Sequence, residues 1–260
     1  MSKLWDALKK AEKENEEELV SAYEETFEET PEEFSGDLYL NIQPIMTEEY
    51  RRLFNTVRNV GKKKGTQVKS VLITAPRPGE GTSTIAASLS ASIAADKKGF
   101  KVLLVDANLR NPGVHDQFGM LPAPGLVEVV NDYENRMKYF RASPIRYVPN
   151  FHILTAGNFD EVAENPVEVL EHENFETFFN EIRDYYNLII IDAPAVNPYS
   201  DALSLVRLVD GAIMVIDAKT TRWEVAQRAQ SVLNNSDIDI FGVILNKRKL
   251  HIPKTVYKRL

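Results

Sequence analysis

The sequence predicts an α/β fold with a mostly parallel central sheet and helices on both faces. Short apolar runs alternate along the chain with stretches of helical periodicity, which is typical of parallel strands joined by crossover helices. Three of the apolar runs, at 69–74, 101–106 and 187–192, lead into a glycine loop or end on an aspartate. Open α/β sheets bind ligands at the carboxyl edge of their strands, so we expect a site there.

The remaining elements follow from the same periodicities. A helix should begin at Thr47, with Glu48 and Glu49 in its first turn, and end at Gly61. Apolar runs predict three further strands, and amphipathic stretches predict the helices that alternate with all six strands. The further strands are expected near 151–155, 211–217 and 239–245, and the helices near 83–96, 125–132, 166–184, 199–208 and 222–234.

The first 35 residues differ in composition from the rest. They hold 12 Asp and Glu but 4 Lys, whereas acidic and basic residues are nearly balanced elsewhere. We divide the chain into a leader, 1–35, and a globular domain, 36–260. In the leader, Leu4, Trp5 and Leu8 predict a short amphipathic helix followed by an acidic flexible linker. Such a helix is marginal alone, so it either docks onto a partner or has no role.

Composition also limits the class of protein. The chain has no cysteine, which excludes thiolate-ligated iron–sulfur clusters and gives no sign of an oxidising compartment. No apolar run reaches the roughly 20 residues needed to span a bilayer. We expect a cytoplasmic protein, with peripheral contact to the inner face of the plasma membrane left open. The balanced charge outside the leader makes a nucleic-acid partner unexpected.

A phosphate-binding loop is predicted after the first strand. Residues 76–84 read PRPGEGTST, close to the P-loop pattern G-x-x-x-x-G-K-[ST]. Glycines let backbone N–H groups turn towards phosphate, and the following helix directs its positive end at the same anion. Pro76 replaces the first glycine and Thr82 replaces the lysine. The residues predicted to bind nucleotide are Arg77, Gly79, Glu80, Gly81, Thr82, Ser83 and Thr84.

Two strand-end carboxylates complete the predicted site. Asp106 ends one buried strand and Asp192 ends another, in the manner of a Walker B strand that holds Mg²⁺ directly or through water. Ser83 falls on the hydroxyl position that binds the same ion. We predict Ser83, Asp106 and Asp192 as metal ligands, and both aspartates as catalytic residues if the protein is active. Either aspartate alone would also fit a strand-end helix cap.

The set of motifs resembles the bacterial tyrosine kinases (BY-kinases) that accompany capsule and exopolysaccharide assembly, within the deviant-Walker group of MinD and ParA ATPases. The segments that carry the resemblance are TEEYRRLF, TAPRPGEGTST, VLLVDANLRNPGVH, FGMLPAPGLVEVV, LIIIDAPAVNPYSDAL and VILNKRKL. The resemblance implies a P-loop NTPase fold, ATP or ADP with Mg²⁺ as cofactors, a homo-oligomer, and a membrane polysaccharide co-polymerase (chain-length regulator) as partner. It also implies Arg110 as a site arginine, Asn246 as an adenine contact, and Glu48 and Arg51 as oligomerisation residues.

Several positions depart from the family pattern. Thr82 stands for the Walker A lysine, Asn108 for the second Walker A′ aspartate, and Phe54 for the second arginine of the oligomerisation helix. Active members carry a cluster of C-terminal tyrosines, whereas residues 246–260 contain Tyr257 alone, a candidate phosphoacceptor or an inert tail residue. Arg77 occupies the place of the deviant Walker lysine. It either donates to phosphate, including across a dimer, or is a solvated loop arginine.

Three functions remain open at this stage. The leading hypothesis is a pseudokinase that regulates polysaccharide assembly with weak or no ATP turnover. The alternative is an active tyrosine autokinase that uses Arg77 in place of the lysine, and the third is a MinD/ParA-like positioning ATPase. A basic tail, which includes Lys247, Arg248 and Lys249, either contacts anionic lipid or an acidic partner segment, or is simply solvated.

Overall fold

The computed structural model describes residues 44–248, except 64, 97–98, 140, 143–147, 149 and 159–164. The acidic leader and the C-terminal tail with Tyr257 therefore lie outside the described residues, and the predictions made for them stay predictions. Within the described ranges, no helix is both long enough and apolar enough to cross a membrane.

Seven strands form one sheet in the described part of the chain, in the order β3-β4-β2-β5-β1-β6-β7. All neighbouring strands are parallel except β3, a two-residue edge strand that is antiparallel to β4. The six predicted strands are confirmed, and β3 was not predicted. The strands are β1 (Ser70–Thr74), β2 (Val102–Asp106), β3 (Arg141–Ala142), β4 (Phe151–Leu154), β5 (Leu188–Asp192), β6 (Ala212–Asp217) and β7 (Ile240–Asn246).

Helices cover both faces of the sheet, as predicted. Short 3₁₀ helices are present at Tyr133–Lys138 and Val206–Leu208. The α-helices are α1 (Pro44–Lys63), α2 (Thr82–Asp96), α3 (Val114–Gln117), α4 (Leu126–Asn131), α5 (Pro166–Glu171), α6 (Glu173–Arg183), α7 (Asp201–Ser204) and α8 (Trp223–Asn234).

The buried strand residues divide between two hydrophobic clusters because successive side chains point to opposite faces. Val71 and Ile73 of β1 belong to the cluster under α1 and α2, whereas Leu72 belongs to the cluster under α4 and α6. The strands β1, β2 and β5 are buried along their whole length. This two-sided burial makes the sheet a rigid base for the loops at its carboxyl edge.

Three of the predicted helices have different bounds in the structure. Helix α1 begins at Pro44 and continues past Gly61 to Lys63, so Glu48 lies beyond its first turn. Gly61 does not end the helix but permits close packing, since a Cβ there would lie 2.8 Å from the backbone oxygen of Thr66. The predicted helix 199–208 is divided into α7 and a 3₁₀ turn.

The predicted helix 166–184 is divided at His172. This residue has extended backbone angles, φ −63° and ψ 137°, and it separates α5 from α6. Its Nδ1 atom accepts a hydrogen bond from the N–H of Asn174 at 3.1 Å. His172 therefore acts as the N-cap of α6, a role that the apolar periodicity of this segment did not reveal.

Candidate nucleotide-binding site

The strand order brings the predicted motifs to one edge of the sheet. Strand β1, which leads into the P-loop, lies between β5 and β6. Strand β2 lies on the other side of β5, with Asp106 opposite Asp192 in the register. Strand β7 lies beyond β6, with Asn246 opposite Asp217. The loop thus has a strand-end aspartate on each side of it, Asp192 and Asp217.

The P-loop has the backbone shape that a phosphate cradle needs. Gly79 and Gly81 adopt the left-handed region, with φ values of +80° and +96°. A Cβ on Gly81 would lie 2.3 Å from the side-chain nitrogen of Asn246. Helix α2 begins at Thr82 and extends for 15 residues, so its N-terminus adjoins the loop. The glycine conformations and the helix N-terminus are thus those expected of a phosphate-binding loop, with Thr82 at the position of the lysine.

Glu80 has a structural role that the sequence prediction missed. Its side chain is buried, and its carboxylate accepts hydrogen bonds from the N–H of Asp217 at 3.0 Å and the hydroxyl of Thr221 at 2.8 Å. The side chain therefore anchors the loop to the end of β6 and is committed to that contact. Glu80 therefore stays predicted to contact nucleotide only through its backbone.

The end of β7 holds the other side of the loop. The amide of Asn246 donates to the backbone oxygen of Glu80 at 2.8 Å, and its own oxygen accepts from the N–H of Lys247 at 2.8 Å. The ammonium of Lys247 donates to the backbone oxygen of Gly79 at 2.6 Å and lies 3.3 Å from Asp217. The sequence had assigned Lys247 to a basic tail, but the structure brings its side chain onto the P-loop.

Asp106 is buried but well supplied with hydrogen-bond donors. Its carboxylate accepts from the N–H groups of Asn108 at 3.2 Å, Gly113 at 3.1 Å and Val114 at 3.0 Å. Burial nevertheless raises the pKa of Asp106 to about 6, because desolvation outweighs the lowering by these N–H groups and by His115. Asn108 touches Asp106 through its backbone N–H.

Asp192 is fully buried, and neither of its carboxylate oxygens has a hydrogen-bond partner of good geometry among the described residues. Burial and the charge of Asp106 raise the pKa of Asp192 well above its ordinary value, while the nearby hydroxyls of Ser83 and Thr82 lower it. No lysine or arginine of the described ranges pairs with Asp192. Thr82 thus offers a hydroxyl where the P-loop pattern has a cation.

The arrangement of Asp106, Asp192 and Ser83 fits a magnesium ion bound together with phosphate. The orphaned oxygens of Asp192 are hard ligands of the kind that Mg²⁺ prefers, and the Ser83 hydroxyl lies close to them. Within the described ranges, no group of three or more His, Cys, Asp or Glu side chains forms a metal site by itself. Mg²⁺ would therefore need phosphate oxygens or water to complete its coordination.

The two predicted arginines lie in different surroundings. Arg110 donates to both carboxylate oxygens of Asp201, at 2.5 and 3.0 Å, and its guanidinium lies 4.5 Å from the centre of the Tyr199 ring. Arg77 is exposed, and it lines an open groove of about 550 Å³ with Asn197 and Arg228. Arg110 is thus held by its own chain, whereas Arg77 projects from the loop into open space.

The predicted oligomerisation residues make contacts within this chain. Glu48 pairs with Arg52 one turn along α1, and Arg51 bonds Asp96 at the end of α2 at 2.6 and 3.0 Å. Phe54, which stands for the family's second arginine, is 5% exposed and packs edge-on against Phe100. This departure therefore has a structural reason, since position 54 contributes to the core.

The fold is that of the P-loop NTPases, and comparison with known proteins specifies the family. The family model described as cellulose biosynthesis protein BcsQ matches residues 68–238. The tyrosine-protein kinase YwqD of Bacillus subtilis is 32% identical over 206 residues, which cover 79% of this chain and 83% of YwqD. The putative tyrosine-protein kinase CapB of Staphylococcus aureus is 28% identical over 222 residues, covering 85% and 93%.

Among solved structures, the chimerical protein CapA2B2 has the same fold, with a TM-score of 0.74 and 24% identity over 84% of this chain and 92% of that one. The chain belongs to the bacterial tyrosine-kinase family of P-loop proteins. The predicted resemblance and fold class are therefore confirmed. The roles of the individual site residues remain predictions.

Proposed function

We propose that this protein is a kinase-like regulatory subunit of capsule or exopolysaccharide biosynthesis that binds Mg²⁺ and nucleotide weakly and turns ATP over slowly or not at all. One observation carries the proposal. The P-loop, Ser83 and both strand-end aspartates are kept, but Asp192 lies beside the Thr82 hydroxyl with no lysine or arginine paired to it within the described ranges. A site with the metal-binding groups but without this cation favours binding over catalysis.

Magnitudes separate binding from turnover. A hydrogen bond to a charged group contributes about 1.5–3 kcal/mol, so replacing the lysine by Thr82 should weaken nucleotide binding by about one to two orders of magnitude. Loss of one donor that stabilises transition-state charge typically costs about 10²–10³ in rate. The backbone N–H groups of the loop and the N-terminus of α2 still favour the binding of an anion. Weak binding with little turnover is therefore the expected balance.

The residues of this chain would divide the work as follows. Ser83 and Asp192 would hold the ion, with Asp106 beside them, and a bound Mg²⁺ would neutralise charge on the phosphates and on both carboxylates. The loop glycines orient the phosphate through their N–H groups. Contact of Asn246 with adenine stays a prediction, since both polar atoms of its side chain bond the backbone of this chain.

Partner binding is the second part of the proposal. The acidic leader, the basic tail and the exposed Glu48 and Arg51 are candidates for contact with a membrane chain-length regulator or with further copies of this chain. A protein that docks at the membrane through such segments would lie at the cytoplasmic face. Nucleotide binding would then regulate the assembly rather than drive phosphate transfer.

A titration with fluorescent ATP tests this function. The protein is compared with its Thr82→Lys variant and with Thr66→Lys, which adds the same charge at an exposed loop position away from the site. We expect Thr82→Lys to bind ATP about 10–100 times more tightly and to hydrolyse it about 10²–10³ times faster. Thr66→Lys should change neither quantity. Hydrolysis by the unmodified protein at the rate of the Thr82→Lys variant would contradict the proposal.

An active tyrosine autokinase is the second candidate, and it rests on Arg77. This arginine is exposed on the loop and has no ion-pair partner among the described residues, so it is free to reach phosphate, including that of a neighbouring copy. This function predicts ATP-dependent phosphotyrosine that is lost in Arg77→Ala and, if the tail is the acceptor, in Tyr257→Phe. Phosphotyrosine blotting after incubation with MgATP would decide between the two candidates.

A further inference from the structure

The ammonium group of Lys247 lies on the P-loop itself. It donates to the backbone oxygen of Gly79 at 2.6 Å, and it lies 3.3 Å from a carboxylate oxygen of Asp217. Gly79 is in the middle of the loop, two residues before Gly81. Consecutive Cα atoms are about 3.8 Å apart, so an anion held by the loop N–H groups would lie within about 10 Å of this charge. That separation is about one Debye length at physiological ionic strength.

The backbone of Lys247 indicates that this contact is built into the fold. Lys247 has a φ of 55°, in the left-handed region that residues other than glycine seldom adopt. Its N–H donates to the side-chain oxygen of Asn246, whose amide in turn donates to the backbone of Glu80. Such a conformation persists where its surroundings hold it in place. Here the holding contacts direct the lysine towards the loop.

The side chains at the carboxyl edge of the sheet near the loop are mostly acidic, so a cation there would favour phosphate binding. A bound polyphosphate would meet the carboxylates of Asp106, Asp192 and Asp217 at the same sheet edge, and Thr82 supplies no cation. An ammonium group has three donors. Two of them are used by Gly79 and Asp217, and the third has no acceptor among the described residues. Lys247 can thus keep its contact with the loop and still attract an anion held there.

We propose that Lys247 supplies the positive charge at the phosphate loop that Thr82 has removed, and that it binds the phosphate chain of the nucleotide from the end of β7. The inference rests on the proposed function, since it requires that the loop hold a nucleotide. It would give the weak nucleotide binding proposed above a cation at a loop whose lysine position holds Thr82. It also explains why the residue after Asn246 is held in a left-handed conformation against the loop.

Nucleotide titrations of the full chain with MANT-labelled ATP, ADP and AMP test the inference. The variants are Lys247→Gln, which keeps a hydrogen-bond donor but loses the charge, and Lys247→Arg, which keeps the charge. The matched control is Lys219→Gln, which removes the same charge from the exposed turn after β6. Lys247→Gln should weaken ATP binding about tenfold, ADP binding less and AMP binding least, because the attraction scales with phosphate charge. Lys247→Arg and Lys219→Gln should bind nearly as the unmodified protein does.

The Thr82→Lys background sharpens the test. If both lysines serve the same phosphates, restoring a lysine at position 82 should reduce the effect of Lys247→Gln on ATP affinity from about tenfold to about twofold, a coupling that a double-mutant cycle measures. A Lys247 that only stabilises the loop and does not attract phosphate leads to a different result. We then expect equal losses for the three nucleotides, no rescue by Lys247→Arg and a lower Tm without nucleotide.

Two outcomes would overturn the inference while leaving the proposed function intact. Both require that the unmodified protein bind ATP. The first outcome is an unchanged ATP affinity in Lys247→Gln. The second is an equal loss of affinity for the three nucleotides, with no rescue by Lys247→Arg and a lower Tm without nucleotide. Absence of ATP binding by the unmodified protein at millimolar concentration would overturn both proposals together. The two failures are therefore distinguishable within one set of titrations.

Discussion

Two aspartates flank the P-loop at equivalent strand ends, yet their surroundings are opposite. Asp192, at the end of β5, is fully buried, pairs with no described lysine or arginine, and has a pKa raised well above the ordinary value by burial and by Asp106. Asp217, at the end of β6, accepts from the N–H of Lys219 at 2.9 Å and lies beside Lys247. These contacts hold its pKa below the ordinary value.

The difference shows how the chain divides charge around one loop. On the β6 side, the carboxylate has donors of its own chain beside it, and one of them, the ammonium of Lys247, also contacts the loop. On the β5 side, the carboxylate lacks a counter-charge and therefore suits a ligand that brings one, namely Mg²⁺ with phosphate. A buried charge without a partner costs stability, so it indicates a functional site more strongly than the paired aspartate does.

Asp192→Asn should have the largest effect on stability. Burial and the neighbouring Asp106 disfavour the ionised form of this carboxylate, so replacing the carboxyl group by a neutral amide should raise the free energy of unfolding. Urea unfolding at pH 8 without Mg²⁺ measures the gain, and Asp184→Asn, at a side chain 83% exposed, is the control that should change little. The variant should also lose any stabilisation by MgATP. An unchanged or lowered free energy of unfolding would contradict the view that Asp192 is uncompensated.

Asp106 should give the protein a specific pH dependence. Its pKa of about 6 exceeds the value of 3.8 expected for the unfolded chain, so the folded state binds the proton more tightly. The stability from this proton is complete below pH 4 and is lost as pH rises through 6, and the difference between the two pKa values corresponds to about 3 kcal/mol.

Urea unfolding of the protein and of Asp106→Asn between pH 4.5 and pH 7.5 checks this dependence. The fall in the free energy of unfolding with rising pH should be smaller in the variant, because only the unmodified protein releases this proton. Parallel pH profiles for the two proteins would show that Asp106 titrates normally.

Asp217→Asn should have the smallest effect. The pKa of Asp217 is lowered, so its ionised form contributes stability above about pH 4, and this contribution is lost as pH falls through the folded pKa. Asparagine can still accept from the N–H of Lys219 but cannot pair with Lys247. We expect a small fall in Tm at pH 7.5, because the Lys247 side chain is 43% exposed and can turn towards solvent when its partner loses its charge. If Asp217→Asn lowered the free energy of unfolding by as much as Asp192→Asn raises it, the contrast between the two aspartates would be lost.

Prediction from the sequence was most reliable for strands in which every residue is buried. The strands β1, β2 and β5 are apolar runs buried on both faces, and each leads directly to the loop or to an aspartate. Periodicity was least reliable where a single contact sets a helix boundary. His172 ends α5 by capping α6, and α1 continues through Gly61, whose missing Cβ leaves room for the backbone of Thr66. Apolar periodicity does not report such contacts, even between residues that are close in the chain.

By itself the sequence determined the family, the parallel sheet and the altered loop, because these depend on strand-end motifs and on local hydrophobic order. Only the tertiary structure decided which charges meet. It buried Asp192 beside Thr82, turned Glu80 towards β6, put Phe54 into the core, and moved Lys247 from a supposed tail onto the loop. The reason is physical: burial and charge pairing are set by elements far apart in the chain, and β7 reaches the P-loop only once the sheet has assembled.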